Sequence, residues 1–281
     1  MTEQSPTPVT EQSSGSTAEA EISGGRYLYC LVDTTTAESD TVSTGGIGDN
    51  SVYVIESETV GAVVHDCETT YDAENPDQVK QWVLEHQHVV DAAGDIFGTP
   101  LPMRFNTILA GGNTSVTQWL HGNHDRIREE LSSFAGTWEY RISLFWDPSP
   151  FEDTVTHGDD QLQDLQQRQQ QAGTGKEFLL EKQYDKRLRD LKRERRTELA
   201  TRVQETVRPV VDEMIEQDTH SPLTEHTSSP DGEQVARLAV LADDADETEL
   251  GERLDELVEQ DGVRIRFSGP WPPYTFAPDI G

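Results

Sequence analysis

A glycine-rich segment before a lysine, Gly173-Thr174-Gly175-Lys176, is similar in composition to a phosphate-binding loop. Such a loop needs the spacing G-x-x-x-x-G-K-[ST], in which backbone amides cradle the phosphates and the hydroxyl binds Mg²⁺. The segment lacks that spacing, and Glu177 stands where the hydroxyl residue belongs. No buried strand is predicted before it either. We therefore predict no nucleotide and no other cofactor.

Two pairs of histidines could in principle bind a metal ion. His121 and His124 are three residues apart and would share a helix face, whereas His86 and His88 are two apart and would not. Neither pair belongs to a CxxC or HExxH pattern. Structural histidines are the favoured interpretation, and we predict no metal site.

Cys67 and His65 are two residues apart in a strand-like run, so they would point to the same face. A thiol–imidazole pair also needs an orienting acid, and the sequence places none. We predict no nucleophile here and no enzymatic activity.

A basic segment from Lys176 to Arg208 holds eleven of the 22 lysines and arginines, with seven acids. A solvated helix with ion pairs along it and a docking site for an acidic partner are equally favoured interpretations. Nucleic acid ranks last, because only Tyr184 is interleaved as a stacking residue. The candidate partner-binding residues are Arg187, Arg189, Arg193, Arg195 and Arg196.

The end of the chain is rich in aromatic residues and prolines. The alternation of Val263, Ile265 and Phe267 with arginines predicts a half-buried strand, which Gly269-Pro270 should break. Prolines then present Trp271 and Tyr274 on a stiff, extended backbone. We expect these two rings to pack over the terminal sheet and close the last domain, with direct contact to a partner as the alternative.

The composition is strongly acidic: 53 acidic residues face 22 basic ones, for a formal charge of −31. Lysine is scarce and hydrophobic residues make up 33%, which is typical of a protein that stays soluble in very high salt. This charge argues against a surface for nucleic acid or anionic membrane. With no long apolar run, no export signal and two isolated cysteines, Cys30 and Cys67, we expect a cytoplasmic protein with buried thiols.

Hydrophobic periodicity predicts an α+β protein with two small α/β domains. We expect residues 1–25 to form a disordered acidic tail, residues 26–136 the first domain and residues 137–281 the second. In the first domain we predict strands at 27–32, 52–55, 61–64 and 99–109, with helices at 75–98 and 113–136. Asn75 caps the first of these helices.

The second domain should begin with the alternating strand 137–146, followed by a linker over 147–175 in which a helix could begin near Gln161. A long amphipathic helix over 176–217 comes next, bent or broken at Pro209. A polar loop at 220–231, a strand at 235–241, a short helix at 250–258 and the terminal strand complete it. This order resembles a ferredoxin-like layer that lacks or borrows one strand.

Taken together, several segments resemble the gas vesicle protein F/L family. The most specific is Gly269-Pro270-Trp271-Pro272-Pro273-Tyr274-Thr275-Phe276, and Leu101-Pro102-Met103-Arg104-Phe105 is moderately so. Tyr27-Leu28-Tyr29, Gly46-Ile47 and the strand 138–146 add to the resemblance, which covers about residues 26–276. Asn106 departs from the family's usual glycine. Asparagine tolerates a left-handed φ, so the turn there should survive.

The resemblance implies a non-enzymatic role, and the length and acidity are similar to those of L members from halophiles. It implies an accessory or minor structural protein of gas vesicle assembly, located at the vesicle and in the cytoplasm. Its partners would be the gas vesicle shell protein and other accessory vesicle proteins. The alternative is a nucleotide-binding or enzymatic regulator that uses an α+β domain.

The charge of −31 predicts a salt-dependent fold. The melting temperature should be higher in about 3 M KCl than in about 0.1 M KCl, because the shorter Debye length screens the repulsion between carboxylates. Thermal melts followed by circular dichroism at both concentrations check this. Equal melting temperatures would contradict it.

Overall fold

The apolar run from Tyr27 to Val32 forms the centre of the first sheet. It lies in strand β1 (Gly25–Asp33), whose residues 27–32 are fully buried. The computed structural model describes residues 22–35, 42–218 and 232–280. Most of the predicted acidic tail and the predicted loop at 220–231 therefore lie outside the described residues.

Five antiparallel strands make up this sheet. β1 pairs with β3 (Val60–Cys67), and β3 pairs with β2 (Tyr53–Ser57) to form the predicted hairpin. Two short strands, β4 (Leu101–Pro102) and β5 (Ile108–Leu109), also pair with β1. The predicted strand over 99–109 was therefore wrong in its middle, where Thr107 N donates to Arg104 O at 3.1 Å and closes a turn.

Helices cover both faces of this sheet. Helix α1 (Pro76–Phe97) packs on the face of β1 that carries Tyr27 and Tyr29. Helices α2 (Gly112–Gly122) and α3 (His124–Ser133) pack on the face that carries Leu28 and Leu31. Alternate residues of a strand point to opposite faces, so β1 serves two cores, and an irregularity between Leu28 and Cys30 brings Leu28 and Leu31 to the same face.

The helix ends follow local rules. The Asn75 side chain accepts from Asp77 N at 3.0 Å, which confirms the predicted cap of α1. Gly94 lies inside α1, where an added Cβ would be 3.0 Å from the Trp138 ring. The single helix predicted over 113–136 is two helices, which meet at Asn123.

The chain divides into two compact units. The first is Met1–Glu139 together with Pro270–Gly281, and the second is Tyr140–Gly269. The predicted domains, 26–136 and 137–281, differ from these units chiefly in the last twelve residues. Those residues belong to the first unit, so the second unit is an insertion within the first.

Strand β6 (Thr137–Trp146) leads into three helices: α4 (Ser149–Gly158), α5 (Asp160–Gln170) and α6 (Thr174–Val207). The linker predicted over 147–175 was therefore wrong for most of its length, while a helix does begin near Gln161, as α5. Leu162 and Leu165 of α5 are buried, and the Asp159 side chain accepts from Leu162 N at 2.8 Å as the cap of α5.

The long helix is present but ends earlier than predicted. α6 has 34 residues, which corresponds to about 50 Å at about 1.5 Å per residue. Pro209 lies in a short 3₁₀ turn directly after it, because proline cannot continue the hydrogen-bond ladder. Residues Glu213–Glu216, predicted as helix, form strand β7.

β7 supplies the strand that the sequence pattern lacked. The remaining elements are β8 (Glu233–Asp243), α7 (Glu247–Val258) and β9 (Val263–Trp271), and the four-stranded sheet has the order β7-β8-β6-β9. β9 continues through Gly269-Pro270, which were expected to break it. The structure is thus mixed helix and sheet with two sheets, while the ferredoxin-like assignment of the second unit stays a prediction.

Candidate partner-binding surfaces

The segment after β9 packs on the first unit. Tyr274 lies against the core cluster that contains Tyr27, Tyr29 and Val89. Ile280 is only 5% exposed and packs in the second core cluster with Leu120. The expectation that Tyr274 closes the last domain was wrong, since this segment closes the first unit. Trp271 is the last residue of β9 and is partly buried.

The prolines of this segment direct a turn. Pro272 and Pro273 are buried, and Pro273 O accepts from Phe276 N at 3.1 Å and from Ala277 N at 2.7 Å. The backbone after Pro273 is therefore folded back and not extended as expected. Prolines before such a turn fix φ and reduce the conformational entropy that ordering the segment costs.

A buried carboxylate anchors the same segment. Glu139 of β6 is 0% exposed. Its Oε2 accepts from Thr275 N at 2.6 Å and its Oε1 accepts from Thr275 Oγ1 at 2.9 Å. Hydrogen bonds to a carboxylate are stronger than neutral ones, and a buried carboxylate without them is costly.

Two arginines hold the last described residues. Arg126 Nη2 donates to Asp279 O at 2.6 Å, and Arg104 Nη2 lies 3.3 Å from the Asp279 carboxylate. Glu139, Arg104 and Arg126 were not identified from the sequence as site residues. Their partners are more than a hundred positions away, so no local spacing could have shown them.

Three of the five candidate arginines on α6 bind within the second unit. Arg187 Nη2 donates to Asp159 Oδ2 at 2.7 Å, and this hydrogen bond lowers the pKa of the Asp159 carboxyl and raises that of the guanidinium. Arg195 Nη2 donates to Gln260 Oε1 at 2.8 Å, and Arg196 forms an ion pair with Glu233. These contacts join α6 to α5, β8 and the turn after α7.

The other two candidate arginines are exposed. Arg193 pairs with Asp190 at 3.2 Å on its own helix, and its side chain is 74% exposed. Arg189 is also exposed, and the described residues give it no ion-pair partner. Exposed ion pairs along one helix contribute little stability. Arg189 and Arg193 therefore face solvent, and their role as partner contacts stays a prediction.

A cluster of tyrosine and histidine side chains fills the core between β1 and α1. Tyr27 Oη lies 2.9 Å from His86 Nδ1, and His65 Nε2 lies 2.9 Å from Tyr71 Oη. Burial lowers the pKa of both histidines to about 4, because a charged imidazole is poorly solvated there. Both are neutral at physiological pH. Burial raises the pKa of the Tyr27 phenol.

Asn106 closes this cluster on one side. Its φ is +67°, which confirms the predicted left-handed turn. Its side-chain oxygen accepts from Tyr71 N at 2.8 Å and its amide donates to Tyr71 O at 3.1 Å. A glycine could adopt this φ but could not make either bond, so asparagine adds a tether for Tyr71.

The remaining chemistry-bearing residues have structural contacts. Cys67 Sγ donates to Thr69 O at 2.8 Å, and burial raises the pKa of its thiol. Both cysteines are free and buried, as predicted. His121 and His124 lie 3.3 and 3.6 Å from the Glu58 carboxylate. In the part of the chain that the structure describes, no three potential ligands are grouped to hold a metal ion.

Gly173, in the segment with phosphate-loop composition, is the cap residue of α6. Within the described ranges, no helix has both the length and the apolarity needed to cross a membrane.

Comparison with known proteins gives a match along nearly the whole chain. The family model described as "Gas vesicle synthesis protein GvpL/GvpF" matches residues 25–278. The chain belongs to the GvpL/GvpF family. This confirms the resemblance carried by the proline-aromatic segment and the Leu-Pro-Met-Arg-Phe segment.

Members of the GvpL/GvpF family that are similar to this chain include two haloarchaeal proteins. Gas vesicle protein L of Haloferax mediterranei is 61% identical over 322 residues, and gas vesicle protein L1 of Halobacterium salinarum is 60% identical over 281 residues. Each alignment covers 100% of both chains.

Two crystal structures share the fold. GvpF from Anabaena sp. PCC7120 matches with a TM-score of 0.67 at 23% identity, over 91% of this chain and 99% of that one. GvpF from Microcystis aeruginosa matches with a TM-score of 0.62 at 17% identity, over 91% of this chain and 100% of that one.

The Glu139–Thr275 contact predicts a stability effect from a small change. Thr275→Val removes the hydroxyl donor and keeps the shape, so it should lower the free energy of unfolding by about 1–3 kcal/mol. Urea unfolding measures this. The matched control is Thr117→Val, whose hydroxyl donates to Asn113 O on an exposed helix face. Equal effects of the two changes would contradict the assigned role of Thr275.

The buried histidines predict a pH dependence. Between about pH 6.5 and about pH 4 the unfolded chain binds protons that folded His65 and His86 do not, so stability should fall as the pH falls through this window. His86→Gln should flatten this slope in urea unfolding experiments. His121→Gln, at an exposed site, is the control, and a wild-type slope in the His86 variant would exclude the assigned effect.

Proposed function

We propose that this protein is a non-enzymatic accessory and minor structural protein of gas vesicle assembly that binds the shell protein and other accessory vesicle proteins. Membership of the GvpL/GvpF family along residues 25–278 is the observation that carries the proposal. The proposed location is the gas vesicle and the cytoplasm in which the vesicle is built.

The location of the reactive side chains supports a function performed at the surface. Tyr27, His65 and Cys30 are 0% exposed, and His86 is 3% exposed. Each of these groups lies inside the core of the first unit. A partner would therefore meet the outer faces of the helices and not these groups.

An exposed apolar pair on α1 is a suitable contact for an apolar shell subunit. Val83 is 40% exposed and Leu84 is 57% exposed. Leu84 points away from the buried residues Val89, Val90 and Phe97 of this helix, and Val83 lies two turns before Val90 at the exposed start of their face. A charge of −31 keeps the body soluble while a rigid apolar contact binds the subunit.

The seven candidate partner-binding residues fall into two groups, those that stabilise the fold and those proposed to contact a partner. Tyr274 packs in a core, and Arg187, Arg195 and Arg196 bind within the second unit. We assign these four to stability. Trp271, Arg189 and Arg193 remain proposed contacts.

A capture experiment tests the proposal. A tagged shell subunit and tagged accessory vesicle proteins, co-expressed with this chain, should each be assayed for co-purification in molar KCl. Capture by the shell subunit supports the proposal. No capture by any of them, together with nucleotide binding by the purified chain, would replace it with the nucleotide-dependent regulator.

The α1 contact predicts a selective loss. Val83→Ser with Leu84→Ser should lower capture by the shell subunit, because it removes the apolar area that the subunit would cover. The control is Ile215→Ser with Val258→Ser in the second unit, whose side chains are 40% and 44% exposed. Equal capture of the two double variants would contradict the assignment to α1.

A further inference from the structure

The outer face of α6 carries a continuous line of exposed side chains, which we call the basic stripe. It consists of Phe178, Lys182, Lys186, Arg189 and Arg193, at spacings of four, four, three and four residues, and all five are exposed. At about 100° per residue these positions lie within about 80° of arc. They therefore form one face about four turns long.

Most of the cations that hold the second unit together lie off this face, and only Arg196, which pairs with Glu233, continues its arc three residues beyond Arg193. Lys192 pairs with Glu152 of α4, and Arg187 pairs with Asp159. Among the described residues, by contrast, Lys182, Lys186 and Arg189 have no ion-pair partner. Glu181 and Asp185 lie along one flank of the stripe and do not pair with it.

One end of the basic stripe is apolar. Phe178 is 58% exposed and its neighbour Leu179 is 60% exposed. Lys182 Nζ lies 5.4 Å from the centroid of the Phe178 ring, within the range of a cation–π contact. Such a contact favours one arrangement of the two side chains, which reduces the entropy lost when a partner binds them.

The spacing matches a particular kind of partner. Carboxylates three and four residues apart on a second helix would face the cations of the stripe turn by turn. In molar salt the Debye length is about 3 Å, so only such contact pairs persist and an apolar anchor is needed beside them. Phe178 and Leu179 provide that anchor.

A nucleic acid fits this face less well. The chain carries −31 charges, which would repel a long polyanion beyond the stripe, and a single exposed aromatic ring offers no stacking platform. A short acidic helix touches only the basic face.

We propose that the basic stripe is the docking site for an acidic helix, with an apolar residue at one end, of another gas vesicle protein. This rests on the assembly function proposed above. The proposal assigns the cations of the stripe to docking and the cations that pair within the second unit to stability. Charge alone would not distinguish the two groups on this helix.

The test compares two triple variants with the same change in charge. The stripe variant is Lys182→Glu, Lys186→Glu and Arg189→Glu. The control variant is Lys176→Glu, Arg202→Glu and Arg208→Glu, at exposed positions on or next to α6 but off the stripe. Thermal melts establish that both variants fold.

Each full-length chain is titrated with purified shell and accessory vesicle proteins, and with a synthetic helical peptide carrying glutamates at i, i+4, i+7 and i+11 and a terminal leucine. We expect the stripe variant to bind the peptide and one vesicle protein at least about tenfold more weakly, because attraction becomes repulsion. The control should bind as the wild type does. Phe178→Ser should weaken binding mainly at about 3 M KCl, where the apolar anchor dominates.

Three results would overturn the inference. If the wild type binds no vesicle protein, the proposed function fails and this inference fails with it. If the wild type binds but the stripe and control variants bind equally well or equally poorly, the stripe is not the docking site although the function stands. If the stripe changes affect only RNA binding or only self-association in sedimentation, the occupant is not an acidic helix of another vesicle protein.

Discussion

The buried carboxylate of Glu139 is the constraint on which the first unit depends. A carboxylate that is 0% exposed must be hydrogen-bonded, and Thr275 supplies two of the donors. Glu139 is the last residue before the chain leaves the first unit, and Thr275 follows soon after its return at Pro270. The hydrogen bonds between Glu139 and Thr275 therefore join the point at which the chain leaves the first unit to the segment with which it re-enters that unit. They also make the proline-aromatic segment a structural part of the first unit, from whose earlier residues the whole second unit separates it in sequence.

The sequence predicted the parts of the fold in which neighbouring residues decide the structure. The apolar run of β1, the cap at Asn75 and the left-handed φ of Asn106 all depend on local preferences, and all three were confirmed. The alternation in β6 also predicted a strand correctly. It did not reveal that Glu139 is buried, because the pattern assigns a charged residue to the solvent face and Thr275 lies 136 positions away.

The errors arise where tertiary packing overrides a weak local signal. Residues 147–175 contain few apolar residues, yet α5 forms because Leu162 and Leu165 are buried. β7 has little strand pattern of its own, and its pairing with β8 from Glu213 to Glu216 decides its conformation. The site residues show the same limit. Spacing along α6 identified a basic helix, but only the three-dimensional contacts separate the arginines that bind within the unit from those that face outward.

The arrangement of cations on α6 suggests how a strongly acidic protein can retain a basic surface that is selective for one kind of partner. With 53 acids and 22 bases, almost any exposed cation can find a carboxylate nearby. Asp185 precedes Arg189 by four residues, a spacing that favours an ion pair on a helix, yet the two do not pair. In high salt an exposed pair of this kind gains little, so leaving Arg189 and Lys186 unpaired costs little stability. The same salt removes long-range attraction to the many acidic surfaces nearby. In the proposed docking, a stripe of cations beside Phe178 would discriminate by contact, because only a partner that matches both the charge spacing and the apolar end would gain free energy from it.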